Sequence, residues 1–461
     1  MPTLFDAIDI AKRSLMAQQW AMNTAMHNTA NVNTPGYTRQ RADMEAFTPA
    51  HEYQGQFFGM GSDVVSITRM RNQYLDRMVL AERENQGFLD FQNTALAQVE
   101  TILGETSGYG VSGVLDEFWS AWSDLANDPE NSSSRTALKQ KGEQLGNTLN
   151  ELYDDLKNQQ RDLDSQLSSQ IYGVNSIAAQ IASLNNTISN QVNQGMSPND
   201  LMDQRDLLVG ELSKLVDIET QYEASGDMTI WLGGQILVYD DTAKQLQLQE
   251  ISGDEAKLHN VVWAHNGSDA AIRSGEIAAL MLVRDEVIPE LINELDEFTN
   301  GLVNNLNAIH ITGYGLDGSS GNNFFDPSTT GAKDIALSAE ILQSSDKIAA
   351  SSDGTPGNND IALEIYNLQN ELVMENGTTS IGGYYSAIAA DLGALKQTAQ
   401  DELNQSEVAM QQMENWQISA EGVSIDEEMA NLIRYQQAYT AIAKFLATTD
   451  QMISTLLAIR T

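Results

Sequence analysis

The histidines of this chain, which could take part in acid–base or metal chemistry, are few and widely separated. No two histidines have the H-E-x-x-H spacing in which two imidazoles on one helical face bind zinc. The chain also lacks the G-x-S-x-G turn of serine hydrolases and the P-loop of nucleotide-binding enzymes. We therefore expect neither a catalytic nor a metal centre at the five histidines, which are His27, His51, His259, His265 and His310.

The carboxylates are abundant, but their spacing is typical of a solvated surface. Residues 317–326 contain acids and glycines, as a calcium loop does, yet Asn322 stands where that loop needs glycine. Adjacent acids such as Glu427 and Glu428 are too common to indicate the paired carboxylates of a glycosidase. These patterns predict a protein that is not an enzyme and that uses no cofactor.

The charge of the chain restricts its partners. Its 461 residues include 25 basic and 64 acidic side chains, which give a formal net charge of −39 at pH 7. Nucleic acids and anionic membranes bind clustered lysine and arginine, so we expect no nucleic acid and no membrane partner. Cysteine is absent, which excludes a disulfide framework. Residues 2–9 lack the basic and apolar segments of a cleavable signal peptide.

The first forty residues predict a helix and the turn that ends it. Apolar residues alternate at steps of four and three, which favours a narrow coiled-coil stripe over a broad globular face. Pro35 disfavours helical backbone at Thr34, and Gly36 admits the positive φ of a turn. The helix should therefore stop at residues 33–36, with an extended segment behind it. The stripe consists of Leu4, Ile8, Ala11, Leu15, Met22, Ala25 and Val32.

The last forty residues predict a matching helix. One apolar series repeats every seven residues, and a second series lies three residues after successive members of the first. Thr449 is the one member that is not apolar. Because neither terminal stripe is wide enough to form a core alone, we predict that the two helices pair as a coiled coil. The two series are Leu432, Tyr439, Leu446 and Ile453, and then Tyr435, Ile442, Thr449 and Leu456.

Between these ends the chain reads as mainly α with a smaller β part. Apolar residues at steps of three, four and seven from Leu145 to Ile188 predict a long helix or helix pair. From residue 216 to about 272 the period changes to two, and Gly233 and Gly234 separate two strands. We expect a small inserted β domain and a long-helix bundle assembled from both halves of the chain. The predicted divisions are 1–70 for the N-terminal helix and extended segment, 71–214 and 275–415 for the bundle, 215–274 for the β insertion, and 416–461 for the C-terminal helix.

Two segments resemble the signatures of a known family. Residues 30–37 (ANVNTPGY) are similar to the N-terminal signature of the bacterial flagellar rod, hook and hook-associated proteins. Residues 422–439 (GVSIDEEMANLIRYQQAY) are similar to the C-terminal signature of that family. A third stretch, residues 201–209 (LMDQRDLLV), resembles the hook-associated members. The resemblance implies a structural protein of the bacterial flagellum, exported without a cleaved signal and located outside the cell.

The resemblance also implies a function and a set of partners. It favours a junction protein that connects hook to filament and provides the platform for filament assembly. A hook or distal-rod subunit is the alternative, but the middle of a hook subunit should be mainly β. An extracellular enzyme embedded in the filament is a third hypothesis, which no catalytic pattern supports. The implied partners are the hook protein, a second junction protein, further copies of the chain in a ring, and a cytoplasmic export chaperone.

Roles for individual residues follow from the same resemblance. The terminal helices should pack subunits along the axis, and the turn should direct the strand behind it. The chaperone should hold the C-terminal helix, whose apolar stripe would be exposed before assembly. The expected packing residues are Leu4, Ile8, Leu15, Met22, Asn31, Pro35, Gly36, Tyr37, Leu446, Ile453 and Leu456. The expected chaperone contacts are Leu432, Tyr435, Tyr439, Ile442, Leu446 and Ile453.

Overall fold

The computed structural model describes residues 4–47, 52–53, 56–57, 59–104, 110–223, 225–251 and 257–459. One of the five histidines considered above, His51, lies outside these ranges. The architecture is mainly helical with small antiparallel sheets, as the sequence predicts.

The first helix, α1 (Leu4–Ala30), ends three residues before the predicted stop at residues 33–36, so Val32 of the predicted stripe lies outside it. The extended segment behind it contains strands β1 (Gln40–Ala46), β2 (Glu52–Tyr53), β3 (Gln56–Phe57) and β4 (Ser62–Arg69). Strand β1 pairs antiparallel with β4, with Gln40 opposite Arg69, and β2 pairs with β3. This pairing brings the end of β4 back beside the start of β1, just after α1, and the helices of the bundle follow.

The first half of the bundle consists of α2 (Gln73–Leu103), α3 (Val111–Asn127), α4 (Ser132–Asn193) and α5 (Asn199–Leu215). The predicted long seam belongs to one unbroken helix, because α4 spans 62 residues. The side chains of Asn72 and Asn131 accept backbone N–H donors at the first turns of α2 and α4, which fixes where these helices start.

The β part follows α5 and forms two small sheets. Strands β5 (Ile218–Tyr222), β6 (Met228–Leu232), β7 (Gln235–Tyr239) and β8 (Thr242–Ala243) make one antiparallel sheet in chain order. Strands β9 (Leu246–Glu250) and β10 (His259–Trp263) form a separate hairpin. Gly233 and Gly234 both have positive φ, at 54° and 78°, and they connect β6 to β7 as the sequence predicts.

Helices return in the second half. A π-helical turn (Val283–Val287) joins α6 (Gly275–Leu282) to α7 (Ile288–His310), and the short α8 (Ala339–Gln343) and α9 (Asp360–Asn367) follow. Two single 3₁₀ turns lie at Ser345–Lys347 and Leu368–Asn370. The last two helices are α10 (Ile381–Glu421) and α11 (Ile425–Ile459). The division that we placed at 415/416 thus falls inside α10, which is continuous to Glu421.

The core joins both halves of the chain. Helix α2 packs on α10, α5 and α6, while α3 packs on α4 and α9. An aromatic cluster lies inside the bundle, with the Trp122 and Phe324 ring centroids 5.3 Å apart and Phe118 against both rings. These side chains are fully buried and supply a large apolar area.

The two terminal helices lie against each other. Helix α1 packs on α11, and Leu4 lies beside Thr448 and Met452 near the far end of α11. Since the other end of α1 leads to Arg39, which contacts Glu427 and Glu428 at the start of α11, the helices are antiparallel. Their pairing as a regular coiled coil remains a prediction.

Candidate assembly interface

The surface between α1 and α11 is only partly buried. The predicted stripe residues Leu4, Ile8, Leu15 and Met22 are half-buried, whereas the most deeply buried apolar residues of α1 are the alanines 11, 17, 21 and 25. Small side chains allow neighbouring backbones to approach closely. The predicted stripe therefore included two of these buried alanines, Ala11 and Ala25, and missed Ala17 and Ala21.

Helix α11 shows the same partial burial. Leu432, Tyr435, Ile442, Leu446 and Ile453 are half-buried, while Tyr439 and Leu456 are exposed by 37% and 55%. The polar member of the series is buried instead, since Thr449 is only 4% exposed. Its hydroxyl donates to the carbonyl oxygen of Phe445 one turn back, so the helix itself satisfies this buried polar group.

Many large apolar side chains of the terminal helices point into solvent. Monomeric soluble proteins rarely expose apolar patches of this extent, which mark interaction surfaces. Most of these residues lie outside the predicted pairing stripe, and all of them stay exposed although α1 packs on α11. They are Phe5, Met16, Trp20 and Met26 on α1, and Ile425, Met429, Ile433, Phe445, Met452 and Leu457 on α11.

The turn after α1 is held by a compact hydrogen-bond network. Buried Asn28 accepts from the hydroxyl of Tyr37 at 2.8 Å and from the backbone N–H of Gln40 at 2.9 Å. Its amide also donates to the Gln40 carbonyl oxygen at 2.8 Å, and His27 Nδ1 lies 2.9 Å from the Tyr37 hydroxyl. Burial raises the pKa of Tyr37, with Asp200, Asp203 and Glu428 adding to the effect. Asn28 fixes the angle at which the chain leaves the helix.

The predicted turn residues occupy different positions in that network. Asn31 Nδ2 donates to the carbonyl oxygen of His27, which closes the last turn of α1. Gly36 has φ 75°, as the turn requires, and both Pro35 and Gly36 are exposed. Asn28 was not among the predicted site residues, because nothing in its spacing distinguishes it from the other polar residues of α1.

The start of α5 binds the segment behind the turn. The Thr38 backbone N–H donates to Asp203 Oδ2 at 3.0 Å, and Gln40 Nε2 donates to Asp200 Oδ1 at 2.8 Å. Asn199 Nδ2 donates to the Ile67 carbonyl oxygen of β4 at 2.8 Å. The start of α5, from Asn199 to Asp203, therefore holds the terminal part of the chain against the bundle, and Asp203 is the member of this set that lies within residues 201–209.

Arg39 connects this segment to the other end of the chain. Its side chain lies 2.7 Å from Glu427 Oε2 through Nη1 and 2.7 Å from Glu428 Oε1 through Nε. Its backbone N–H donates to the carbonyl oxygen of Glu421, the last residue of α10, at 3.0 Å. Ion pairs with a partly buried arginine are less screened by solvent than exposed pairs.

Two further arginines extend the network into the bundle. Arg69 contacts Asp203 and Asp206 at 2.8 and 2.7 Å, and Arg71 contacts Asp206 at 2.6 Å and Asp76 at 2.8 Å. These side chains are at most 17% exposed. We call this set of contacts the joint. It links the turn after α1 and Arg39 to the starts of α2 and α5 and to the α10–α11 connection.

Glu421 couples the joint to α2. It accepts from the Asn72 backbone N–H at 2.7 Å and lies 3.8 Å from Arg71 Nε. Burial raises the pKa of Glu421, and the nearby Asp76 adds to this effect. The joint therefore positions α11 relative to the bundle through buried, mutually bonded charges.

The histidines within the described ranges have structural surroundings. His310 is fully buried, with Nδ1 2.7 Å from the Asn322 carbonyl oxygen and Nε2 accepting from the Ala349 N–H at 2.9 Å. Burial lowers the pKa of His310 to about 4, so its ring is neutral at pH 7. His259 Nδ1 lies 2.7 Å from Asp164 Oδ2, and the His265 ring lies against Trp263.

The described part of the chain contains no cluster of three or more His, Cys, Asp or Glu side chains suited to a metal ion. Nor does any helix found there combine the length and apolar character needed to cross a membrane.

The comparisons with known proteins agree with this organisation. Residues 96–325 match the family model described as the flagellar hook-associated protein FlgK helical domain. Residues 418–459, which include α11, match the flagellar basal body rod FlgEFG protein C-terminal model. The structure of the flagellar hook junction protein FlgK from Burkholderia pseudomallei covers 75% of this chain and all of its own, with a TM-score of 0.65 and 15% identity. At that identity the likeness shows the fold alone.

Fold and joint together define a structural subunit of the flagellar axis, in which both ends of the chain form one unit. Flagellar hook-associated protein 1 of Bacillus subtilis is 30% identical over 98% of this chain and 98% of its own length. Its counterpart in Salmonella typhimurium is 25% identical, with coverage of 98% and 99%. The chain belongs to the flagellar hook-associated protein 1 family and is a structural component of the bacterial flagellum.

Proposed function

We propose that this chain forms the junction between hook and filament and provides the platform on which the filament assembles. The observation that carries this proposal is the apolar surface that α1 and α11 expose outside their own contact. Copies stacked along an axis would bury that surface, and the hydrophobic effect would drive their association. The hook or distal-rod alternative is less favoured, because a long helical bundle occupies the middle of the chain.

The partners of this proposal are assigned to the terminal helices. The hook protein would contact one side of a ring of copies, and the second junction protein the other. In the ring, Leu4, Ile8, Leu15, Met22, Leu446, Ile453 and Leu456 would lie in the axial seams. The turn at Asn31, Pro35, Gly36 and Tyr37 would set the path of the following strand.

The proposal includes a route out of the cell. The chain would leave through the flagellar export apparatus without a cleaved signal and act outside the cell. Before export, a cytoplasmic chaperone would cover α11 at Leu432, Tyr435, Tyr439, Ile442, Leu446 and Ile453. Support comes from the half-buried or exposed state of these side chains in the isolated chain, which leaves apolar surface for a partner.

Deletion of the gene for this chain, in the bacterium from which the chain comes, tests the proposed function. Electron microscopy should show complete hooks without filaments, and flagellin should accumulate in the medium. Loss of the hooks themselves would place the chain lower on the axis. Intact filaments would refute a junction role.

A further inference from the structure

Methionine is the one sulfur-containing residue type of this chain, which has 17 methionines and no cysteine. A peroxide oxidises the methionine thioether to a sulfoxide, which is polar where the thioether is apolar. The peroxide has to reach the sulfur atom, so the exposure of each side chain decides which methionines react.

The exposed methionines are concentrated on the two terminal helices. Among the described residues, five methionines are 48% to 59% exposed, and the others are half-buried or buried. Four of the five, Met16, Met26, Met429 and Met452, lie on α1 and α11. The fifth, Met196, lies in the turn after α4. An oxidant in solution therefore reaches the proposed assembly surface more readily than it reaches the bundle.

Methionines in the interior of the molecule are shielded by packing. Met228, Met374 and Met410 are at most 7% exposed. The sulfur of Met374 lies against the backbone of α7, where a Cβ on Gly301 would collide with it. Such surroundings leave a peroxide no approach to the sulfur, so oxidation of these residues requires local opening of the structure.

The exposed methionines lie beside other exposed apolar side chains. On α11, Met429 lies one turn from both Ile425 and Ile433, and all three are exposed. On α1, Met16 lies one turn before Trp20, which is also exposed. A sulfoxide at Met429 or Met16 would place a polar S–O group within an apolar surface.

Met452 also takes part in the contact between the terminal helices. It borders an open groove of about 480 Å³ at the start of α1, and Leu4 lines the same groove. A sulfoxide here would therefore disturb the pairing of α1 with α11 as well as the surface that faces solvent.

We propose that Met16, Met26, Met429 and Met452 are sites of oxidation by peroxides, and that their sulfoxides stop the terminal helices from packing against neighbouring subunits. The inference rests on the proposed function, because that surface is covered only when subunits assemble. Burial of a polar group without a hydrogen-bond partner is unfavourable, so each sulfoxide weakens the packing. The oxidation acts on the chain before assembly, when these side chains are open to solvent.

The reaction transfers one oxygen atom from the peroxide to sulfur. A lone pair of the sulfur attacks one oxygen of hydrogen peroxide, the O–O bond breaks, and an S–O bond forms. The proton on the attacked oxygen moves to the departing hydroxide, which leaves as water. Sulfur loses the two electrons that the peroxide gains, so the step needs no further reactant.

Peptide mapping by mass spectrometry tests the sites. The purified full chain is treated with hydrogen peroxide for increasing times and digested, and the sulfoxide at each methionine is quantified. The four sites and Met196 should react at least about tenfold faster than Met228, Met374 and Met410, which react only when the structure opens. Equal rates at exposed and buried methionines would overturn the assignment of the sites.

A binding assay with hooks tests the consequence for assembly. Hooks isolated from the deletion strain are mixed with the purified chain and sedimented, and the bound chain is measured. Oxidation should reduce the bound fraction about tenfold, since the sulfoxides would be buried in the contact.

Leucine variants connect the loss of binding to the four sites. A variant that combines Met16→Leu, Met26→Leu, Met429→Leu and Met452→Leu should keep its binding after peroxide, because leucine has a similar volume and cannot be oxidised. Met196→Leu is the matched control, because it removes an exposed methionine outside the terminal helices, and it should lose binding as the original chain does. Equal loss in the combined variant and the original chain would overturn the proposal.

Enzymatic repair tests the same point without any substitution. The two classes of methionine sulfoxide reductase, one for each epimer of the sulfoxide, should restore binding of the oxidised chain. Circular dichroism would verify that the chain is folded before and after repair. Binding that stays low after complete repair would show that oxidation acts through another residue.

The two proposals fail in different ways. If the deletion strain keeps its filaments, or if the untreated chain does not bind hooks, the junction function is refuted. If the oxidised chain binds hooks as well as the untreated chain does, the oxidation proposal is refuted and the junction function stands.

Discussion

Arg39 Nε lies 2.7 Å from Glu428 Oε1, although 389 positions separate the two residues in the chain. The contact joins the segment that leaves the first helix to the first turn of the last helix. Glu428 is only 3% exposed at its side chain, and Arg39 is 18% exposed. The two ends of the chain thus depend on each other at a buried charge pair.

Removal of Arg39 should loosen α11. Arg39→Ala leaves Glu428 buried without its partner, which should cost about 3 kcal/mol of local stability. Amide hydrogen exchange should therefore become faster in α1 and α11, while the bundle keeps its protection. Arg41→Ala provides the control, because Arg41 is 63% exposed and its pair with Asp43 is solvated. Equal exchange in both variants would show that the Arg39 pair does not hold the helix.

Gly36→Val should impair assembly. Gly36 has φ 75°, and a β-branched residue in that region costs roughly 1–2 kcal/mol of backbone strain. Gly195→Val is a close control, since Gly195 has φ 78°, is exposed, and lies in the turn behind α4 with open space around it. Both variants should lose similar stability in thermal unfolding. Only Gly36→Val should reduce incorporation into flagella, and normal incorporation would refute a role for the turn.

The chaperone assignment can be tested with the full chain. Leu446→Asp and Ile453→Asp place charges in the stripe of α11 and should abolish co-elution with the flagellar export chaperone. Lys444→Asp changes charge on the exposed side of the same helix and should leave binding intact. Unchanged co-elution of the two stripe variants would place the chaperone site elsewhere.

Truncation addresses the same site from another direction. The cut should follow Gly422, because Glu421 binds Asn72 and Arg39 and belongs to the bundle side of the joint. We expect the shortened chain to lose chaperone binding while its circular dichroism keeps the helical signal of the bundle. Continued chaperone binding would contradict the assignment.

The surroundings of Glu84 predict that the free energy of unfolding depends on pH. Burial raises the pKa of Glu84 to about 7, and Asp217 and Glu219 add to the shift, although the Ile218 N–H donates to its carboxylate. A raised folded-state pKa means that Glu84 contributes fully below its unfolded pKa of about 4.3, and that this contribution is lost as pH rises through about 7.

Glu84→Gln removes this titration. The variant should be more stable than the original chain at pH 8 by about 1–3 kcal/mol, allowing for partial solvent screening, and the difference should vanish near pH 4. Chemical denaturation at a series of pH values measures it. A difference that does not change with pH would show that folding does not shift the pKa of Glu84.

Much of the fold was predictable because local sequence patterns indicate it. Heptad spacing marked both terminal helices, a period of two marked the β insertion, and Pro35 with Gly36 marked the end of α1. Such signals involve residues within a few positions of one another, so they can be recognised in the sequence without the tertiary structure. The same patterns, together with two signatures, were sufficient to indicate the family.

The tertiary structure alone decided the joint. Arg39 meets Glu428, Thr38 meets Asp203, and the side chain of Asn28 holds the strand behind its own helix. Arginines and acids look alike in sequence whether they are solvated or buried, because charge carries no periodic signal and its partner is set by chain topology. Arg71 and Arg77 lie six positions apart, yet only packing pairs the first with Asp76 and Asp206 in the joint and leaves the second exposed.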